Sequence, residues 1–217
     1  MDLINLYHGS IQKVTMPLYG FGKVDNDYGQ GFYCTKHIDL AKEWAVSENQ
    51  DGYANKYQID LDTVKVLDLN QLGTLSWLAV LISNRTVRMN YPIMKQSRDW
   101  LIENHLPDIS GYDVIKGYRA DDSYFTFTRD FLSNVITLEQ LEMAMQLGDL
   151  GEQYVIKSKN AFLKLKYIDS EACDYKTFYP LKKKRDNDAR SRYQQILEET
   201  DMNGIRIIDI IKNEKRV

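Results

Sequence analysis

The stretch YGQGFYCTKHIDLAKEWA, residues 28–45, predicts a turn, a short strand and a helix that packs back onto that strand. Gly29 and Gly31 bracket one polar residue and precede an aromatic pair, which is typical of a tight turn that enters a strand. Apolar residues then recur with helical spacing at Leu40, Ala41, Trp44 and Ala45. Whether this unit also lines a ligand site depends on the residues that fold around it.

The composition is that of a soluble globular protein, with 217 residues, 43% hydrophobic, 27% charged and a net charge of -3. This charge gives no overall attraction to nucleic acid or to an anionic membrane. No apolar run approaches the roughly 20 residues that span a membrane, and the N-terminal segment lacks the basic and apolar regions of a signal peptide. Two cysteines fit a reducing compartment better than a disulfide scaffold. We therefore expect a cytoplasmic protein without membrane partners.

Alternation and turn residues predict mainly strands in the first seventy residues and interspersed short helices afterwards. The strands are expected at residues 3–7, 31–35, 56–61, 64–69, 112–118, 153–157 and 162–168. The helices are expected at residues 38–49, 75–82, 97–103, 124–132, 137–147 and 193–199. Thr137 and Gln140 form a capping box for the fifth helix, which Gly148 is expected to end, and Asp121 or Asp122 is expected to cap the fourth. This order predicts an α+β fold rather than a doubly wound parallel sheet.

The segment 180–192 is strongly basic. Its charged residues are Lys182, Lys183, Lys184, Arg185, Arg190 and Arg192, against Asp186 and Asp188. One interpretation is the solvated start of a helix. The other is a patch that contacts the phosphates of RNA or DNA. The sequence leaves both open.

Three short segments, far apart in the chain, each fall on a predicted strand: residues 7–10 (YHGS), 29–33 (GQGFY) and 152–156 (EQYVI). In this order they resemble the ADP-ribosyltransferase superfamily of the diphtheria-toxin and poly-ADP-ribose-polymerase type. The chain is most similar to a bacterial branch catalogued as domain of unknown function 3990 (DUF3990). The resemblance covers roughly residues 3–168.

The superfamily carries an H-G-[ST] motif, a G-x-G-[FIL]-Y motif and a catalytic residue on a later strand, all lining one NAD cleft. Here they match LYHGS (residues 6–10), GQGFY and GEQYVIKS (residues 151–158); GYRADDSYF (117–125) and AFLKLKYI (161–168) add to the similarity. The resemblance implies a split β-sheet core around the cleft, with helical insertions, in residues 1–170. Residues 171–217 would form a basic, helical C-terminal extension packed on it.

The same resemblance implies residue roles. His8 would bond a ribose hydroxyl of NAD, the Gly9 backbone would hold the nicotinamide amide, and the rings of Tyr33 and Trp44 would form stacking walls for the nicotinamide. A helix serine that holds this amide in many relatives is Ala41 here, so one anchoring bond is expected to be missing or replaced. The remaining cofactor-binding positions implied are Ser10, Gly31 and Arg119.

The expected catalytic set contains His8 and Tyr33 together with three candidates for the acidic position. Gln153 aligns with the glutamate of the family, yet a neutral amide orients a hydroxyl without supplying charge. Glu152 precedes it, and strand alternation turns it to the opposite face unless the strand begins irregularly. Asp122, or Asp121 beside it, offers a carboxylate from another segment, with helix capping as the alternative. Arg119 is a candidate pyrophosphate contact, with a surface ion pair as the alternative.

The resemblance therefore implies an NAD-dependent mono-ADP-ribosyltransferase, a bacterial toxin or phage-defence effector, with NAD as co-substrate and no metal. Its acceptor would be RNA, DNA or protein, the basic segment favouring nucleic acid, and an antitoxin or regulator protein is a candidate partner. Gln153 motivates one alternative, an NAD- or ADP-ribose-binding module without transfer activity. An NAD glycohydrolase is another. A non-enzymatic interaction protein remains if His8 and Tyr33 do not share a cleft.

Overall fold

The structure, a computed structural model, describes residues 2–120, 124–147, 151–199 and 203–214. Within these ranges the chain forms seven strands in one mixed sheet and nine α-helices. The predicted α+β class is confirmed. The strands are β1 Leu3–Ser10, β2 Phe32–Thr35, β3 Gly52–Asp60, β4 Val66–Asp68, β5 Val114–Tyr118, β6 Glu152–Ile156 and β7 Lys166–Cys173. The helices are α1 Ile38–Ala45, α2 Leu69–Leu72, α3 Thr74–Asn84, α4 Pro92–His105, α5 Tyr124–Leu132, α6 Leu138–Met145, α7 Lys159–Lys164, α8 Tyr175–Glu198 and α9 Ile207–Glu214.

The sheet divides between the neighbouring strands β2 and β1. Its order is β4-β5-β6-β2-β1-β3-β7, with β4 and β5 parallel and the other neighbours antiparallel. β1 pairs with β3 along its whole length, whereas in the described chain it is joined to β2 through one residue pair, Tyr7 and Thr35. The strands therefore form two halves, β4-β5-β6-β2 and β1-β3-β7, that diverge from this point.

Three hydrophobic clusters pack against the sheet in the described residues, and the two largest lie on opposite faces. The larger core lies under α3 to α6, where Trp77, Phe127 and Phe131 are almost fully buried. A smaller core on the other face is built from Leu6, Tyr57, Ile59, Tyr154 and Ile156. Successive strand residues alternate between the faces, so Val155 of β6 joins the larger core while both its neighbours join the smaller one.

Local sequence signals place some of these elements correctly. The capping box before α6 is present: the Thr137 N–H donates to Gln140 Oε1 at 3.0 Å, and the Gln140 N–H donates to Thr137 Oγ1 at 3.1 Å. The helix predicted at residues 124–132 is confirmed as α5. Its predicted caps, Asp121 and Asp122, and the predicted stop of α6 at Gly148 lie outside the described residues.

Other expectations about the elements are wrong. Residues 162–164, predicted as strand, belong to α7, because the Ser158 hydroxyl accepts the Ala161 N–H at 3.0 Å and begins a helix there. The helix predicted at residues 38–49 ends at Ala45. Residues 180–199, predicted as a helix start followed by a short helix, lie almost entirely in the single helix α8. Residue 170, the expected boundary between the core domain and the C-terminal extension, lies in β7, and the division into two domains stays a prediction.

An ion pair with a buried carboxylate joins helix α8 to helix α1. The Arg185 guanidinium contacts both carboxylate oxygens of Glu43 in α1, at 2.9 and 3.0 Å. The Glu43 side chain is 4% exposed and that of Arg185 30%. Farther along α8, Tyr193 is buried and its hydroxyl donates to Asp130 Oδ2 at 2.6 Å. Part of the basic segment therefore serves the fold.

Replacing Arg185 by Ala removes the cation that compensates the buried Glu43 carboxylate. We expect the free energy of unfolding to fall by roughly 2 kcal/mol, less than for a fully buried pair because Arg185 is partly exposed. Urea denaturation measures this change. Arg192→Ala, on the exposed side of the same helix, is the matched control and should change the free energy by less than about 0.5 kcal/mol. Equal effects of the two substitutions would contradict a structural role for the pair.

Candidate functional site

The divergence of β1 from β2 opens a cleft of about 1110 Å³. Ligand pockets in proteins usually measure about 300–1,000 Å³, so a dinucleotide-sized molecule fits. Its walls come from the end of β1, the start of β2, residues 11–18, 21–22 and 26–27 of the loop between them, and single side chains from more distant elements. The predicted site residues that line it are His8, Gly9, Ser10, Gly31, Tyr33, Trp44, Arg119 and Gln153. His8 and Tyr33 therefore share a cleft.

The His8 imidazole bridges the two halves of the sheet. Its Nδ1 lies 2.7 Å from the backbone carbonyl oxygen of Tyr33, and its ring packs 4.2 Å from the ring of Phe32. A carbonyl oxygen only accepts, so Nδ1 carries the hydrogen and Nε2 carries a lone pair. Burial lowers the pKa of His8, against the opposing effect of the bond to the Tyr33 carbonyl. The imidazole is thus a neutral hydrogen-bond acceptor within the cleft.

Both glycines of the G-x-G turn are required by geometry. Gly29 has a φ of 74°, in the left-handed region that favours glycine. A Cβ on Gly31 would lie 2.5 Å from Cγ1 of Val155, so only glycine lets β2 approach β6 this closely. The Tyr33 hydroxyl closes the turn by donating to the Gly29 carbonyl at 2.7 Å and accepting the Tyr28 N–H at 2.9 Å. Burial raises the pKa of Tyr33, so this hydroxyl stays protonated.

Gly9 brings helix α1 against the end of β1. A Cβ at Gly9 would lie 2.1 Å from the Ala41 carbonyl oxygen and 2.7 Å from the Ala45 nitrogen. This close approach carries Trp44 to the cleft. Ala41, at the position where the resemblance implies a serine in many relatives, is buried in the same contact. Gly9 therefore has a packing function here besides the predicted backbone contact with nicotinamide.

Trp44 meets a cation inside the cleft. The guanidinium carbon of Arg119 lies 3.4 Å from the centroid of the Trp44 ring, a stacked cation–π contact. The resemblance assigns Trp44 to nicotinamide and Arg119 to pyrophosphate, with a surface ion pair as the alternative for Arg119. In the structure the two side chains form one unit, and a ligand ring that stacks on this face of Trp44 has to displace Arg119.

The strand β6 separates two of the candidate catalytic residues. Gln153 is 3% exposed and lines the cleft, where its Nε2 donates to the Tyr118 carbonyl at 3.3 Å. Glu152 faces the other side of the sheet, where Lys116 Nζ lies 2.8 Å from its carboxylate and Asn70 Nδ2 donates to it at 2.8 Å. The structure therefore does not bring Glu152 to the cleft. Asp122 lies outside the described residues.

Asp27 is a cleft residue that the sequence analysis missed. It is 8% exposed, and its Oδ2 accepts from Gln153 Nε2 at 3.3 Å. Its Oδ1 lies 3.7 Å from Arg85 Nε, another cleft residue. Burial raises the pKa of Asp27, while the Gln153 bond and the charges of Arg85 and Arg119 act against that rise. An acidic residue directly before the Y-G-x-G turn was the one available sequence signal.

Buried Asn55 of β3 organises the β1 side of the cleft and was also missed. Its Nδ2 donates to the His8 carbonyl at 3.1 Å and to Ser10 Oγ at 2.9 Å. Its Oδ1 accepts the Val14 N–H at 3.0 Å. The Ser10 hydroxyl donates to the Gln12 carbonyl at 2.7 Å. Ser10, predicted to bind cofactor, thus also fixes the loop that leaves β1.

Three further observations bear on the kind of site. Within the described ranges, no three His, Cys, Asp or Glu side chains come together as metal ligands would. Cys34 and Cys173 are both buried and unbridged. Among the described helices, none has the length and apolar character needed to cross a membrane.

Fold and site define an α+β protein with a divided mixed sheet and a polar, aromatic cleft at the division. The chain matches the model of the family described as protein of unknown function (DUF3990) over residues 4–167, and it belongs to that family. Comparisons with curated proteins and with solved structures gave no match. The predicted membership of the DUF3990 branch is confirmed, and the matched segment contains His8, Tyr33 and Gln153. The wider resemblance to ADP-ribosyltransferases remains a prediction.

The raised pKa of Asp27 gives a stability test. The folded protein holds this proton more tightly than the unfolded chain, so the associated stability is present below the ordinary aspartate range and is lost as pH rises through the raised pKa. Asp27→Asn mimics the neutral form. We expect it to raise the free energy of unfolding relative to wild type at about pH 7, with a difference that shrinks toward about pH 3.

Urea unfolding of both proteins across this pH range measures the effect. Asp25→Asn, which changes an exposed carboxylate two residues away, serves as the control and should shift the free energy by less than about 0.5 kcal/mol. An Asp27→Asn protein that is less stable than wild type at neutral pH would show that Asp27 stabilises the fold rather than straining it.

Proposed function

We propose that this protein is an NAD-dependent mono-ADP-ribosyltransferase. The observation that carries the proposal is the meeting of His8, Tyr33 and Gln153 in one cleft at the division of the sheet. These residues come from three segments spread over most of the matched region, and each occupies the position that the resemblance assigns to NAD binding or catalysis.

The chemistry of the cleft suits a dinucleotide. The neutral imidazole of His8 has Nε2 available as an acceptor for a ribose hydroxyl. The rings of Tyr33 and Trp44 supply aromatic surface for the nicotinamide. Arg85 and Arg119 line the same cleft and supply positive charge for the pyrophosphate. The cleft thus contains groups suited to the ribose, the nicotinamide and the pyrophosphate of NAD.

Transfer of ADP-ribose requires cleavage of the bond between ribose C1′ and the nicotinamide nitrogen. Positive charge develops on the ribose as this bond breaks, and fixed negative charge or dipoles near it lower the barrier. Gln153 can orient the 2′-hydroxyl but brings no charge. The transferase proposal therefore needs negative charge from another residue of the cleft.

The acceptor is proposed to be a macromolecule, RNA, DNA or protein. Of the basic segment, Arg185 and Arg190 contact Glu43 and Asp186, which favours a structural role for these two charges. Lys182 lines the cleft, and the exposed Lys183 and Lys184 follow it on α8, which favours an anionic acceptor. We propose an intracellular toxin or phage-defence effector restrained by an antitoxin or regulator protein, by analogy with the resembled superfamily.

A second candidate is an NAD- or ADP-ribose-binding module without transfer activity. Two observations favour it: the neutral Gln153 occupies the position of the family's glutamate, and Arg119 covers one face of Trp44. An NAD glycohydrolase uses the same cleft with water as acceptor.

Labelled NAD distinguishes these functions. The protein, with NAD labelled in the adenylate, is incubated with bacterial RNA, DNA or lysate protein, and nicotinamide release is followed in parallel. We expect nicotinamide release together with label on one class of macromolecule. Free ADP-ribose as the main product would indicate a glycohydrolase. Tight NAD binding without nicotinamide release would indicate the binding module, and label on no acceptor with folded protein would reject the transferase.

Substitutions at His8 separate its two proposed functions. In His8→Asn, the side-chain amide keeps a donor near the position of Nδ1 for the Tyr33 carbonyl but lacks the Nε2 acceptor. We expect an affinity for NAD about tenfold lower, the loss of roughly one hydrogen bond, with nearly unchanged thermal stability. His8→Ala removes both groups and should lower affinity and stability together. Calorimetric titration and thermal unfolding measure both. Unchanged NAD affinity in both variants would exclude His8 from the binding site.

A further inference from the structure

Asp27 lies where the cleft needs negative charge. Its carboxylate accepts from the Gln153 amide at 3.3 Å, and Gln153 stands where the resemblance to ADP-ribosyltransferases implies a catalytic glutamate. We infer that Asp27 is the catalytic carboxylate of this protein and that Gln153 positions both Asp27 and the substrate ribose. This inference rests on the proposed transferase function. Asp27, in the loop before β2, and Gln153, in β6, would together perform the function of one glutamate.

The segment that carries Asp27 is held firmly although it is a loop. The next residue, Tyr28, is fully buried: Trp77 Nε1 donates to its hydroxyl at 2.8 Å, and that hydroxyl donates to the Tyr118 carbonyl. Lys157 Nζ donates to the Tyr28 carbonyl at 2.7 Å. These bonds tie the backbone beside Asp27 to α3, β5 and the end of β6. A catalytic group needs such fixed support, because small displacements lower rates strongly.

The loop between β1 and Asp27 is fixed against the turn as well. Gln30 Nε2 donates to the carbonyls of Gly20 at 2.7 Å and Gly22 at 2.9 Å. A Cβ on Gly22 would lie 2.3 Å from the Gly31 carbonyl oxygen, so the loop crosses the G-x-G turn in direct contact. The conformation that presents Asp27 is therefore specified from both sides.

The charged groups around Asp27 fit a carboxylate that must be ionised in a buried place. Arg85 and Arg119 lie in the same cleft, Arg85 at 3.7 Å, and both favour the ionised form. Each arginine is also placed by an aromatic ring, Arg85 over Phe125 at 4.6 Å and Arg119 over Trp44 at 3.4 Å. The competing carboxylate, Glu152, is paired with Lys116 on the other face of the sheet.

The reaction then balances without another cofactor. The bond between C1′ and the nicotinamide nitrogen breaks, and its electron pair leaves with nicotinamide, which becomes neutral. Asp27 stabilises the positive charge that develops on C1′ and the ring oxygen. A lone pair of the acceptor forms the new bond to C1′, and the acceptor's proton passes to Asp27 and from it to water. The carbonyl of the Gln153 amide accepts from the ribose 2′-hydroxyl during these steps.

Single-turnover release of nicotinamide from NAD labelled in its nicotinamide ring tests the inference on the full chain. We expect D27N to slow release at least about 100-fold, as for loss of one electrostatic transition-state contact, while calorimetry gives an NAD affinity within about threefold of wild type. Asp25→Asn, an exposed carboxylate outside the cleft, should release nicotinamide at the wild-type rate. D27N/Q153E moves the carboxylate to the position of the family's glutamate and should regain at least tenfold over D27N, by roughly the same contact.

The pH dependence of nicotinamide release separates an effect of the Asp27 charge from a structural effect of the substitution. Wild-type release should fall as pH drops through the raised pKa of Asp27, and D27N should lack this limb. If D27N does not fold, a flat wild-type profile between about pH 4 and pH 8 overturns the inference by itself. Release by D27N within threefold of wild type, or no gain in D27N/Q153E, also overturns it and leaves the transferase proposal intact. A wild-type protein that binds NAD and releases no nicotinamide overturns both.

Discussion

The hydrogen bond from the His8 imidazole to the Tyr33 carbonyl replaces, with a side chain, the backbone pairing that β1 and β2 give up beyond Tyr7 and Thr35. If the two strands paired along their length, the sheet would be continuous and the cleft would be closed. If nothing crossed the gap, the partly buried Tyr33 carbonyl would lose this partner, at a cost of up to about 1–3 kcal/mol. The bridge joins the two halves of the sheet at the cleft that His8 lines.

The cleft contains a buried polar side chain, Asp27, whose partners do not fully offset the free-energy cost of its burial. Asp27 is buried beside an amide and an arginine at 3.7 Å, and its pKa is raised. Natural proteins tolerate such strain mainly where function requires it. The ion pair of Glu43 with Arg185 differs, because both carboxylate oxygens are bonded and the pair fastens α8 to α1. The Asp27 carboxylate therefore lies in the cleft, whereas the Glu43 carboxylate stabilises the fold.

Elements set by local contacts were predictable from the sequence. The G-x-G turn and the Thr137 capping box each depend on residues a few positions apart. Segment 162–164 was mispredicted because it leads into the alternating residues 163–167 (LKLKY), while the cap at Ser158 makes a helix. The place of Asp27 before the Y-G-x-G turn was visible in the sequence, but its contact with Gln153 was not, because the two residues are 126 positions apart. The positions of Tyr33 and Gln153 in the cleft followed from motifs, but their bonding partners did not.

The most direct test is a crystal structure of the protein with an NAD analogue whose nicotinamide–ribose bond resists cleavage. We predict that the analogue lies in the gap between β1 and β2. A ribose hydroxyl should lie within hydrogen-bonding distance of His8 Nε2, and the nicotinamide ribose should lie beside Gln153 and Asp27. An analogue bound elsewhere on the molecule, or an ordered cleft that stays empty at saturating analogue, would contradict it.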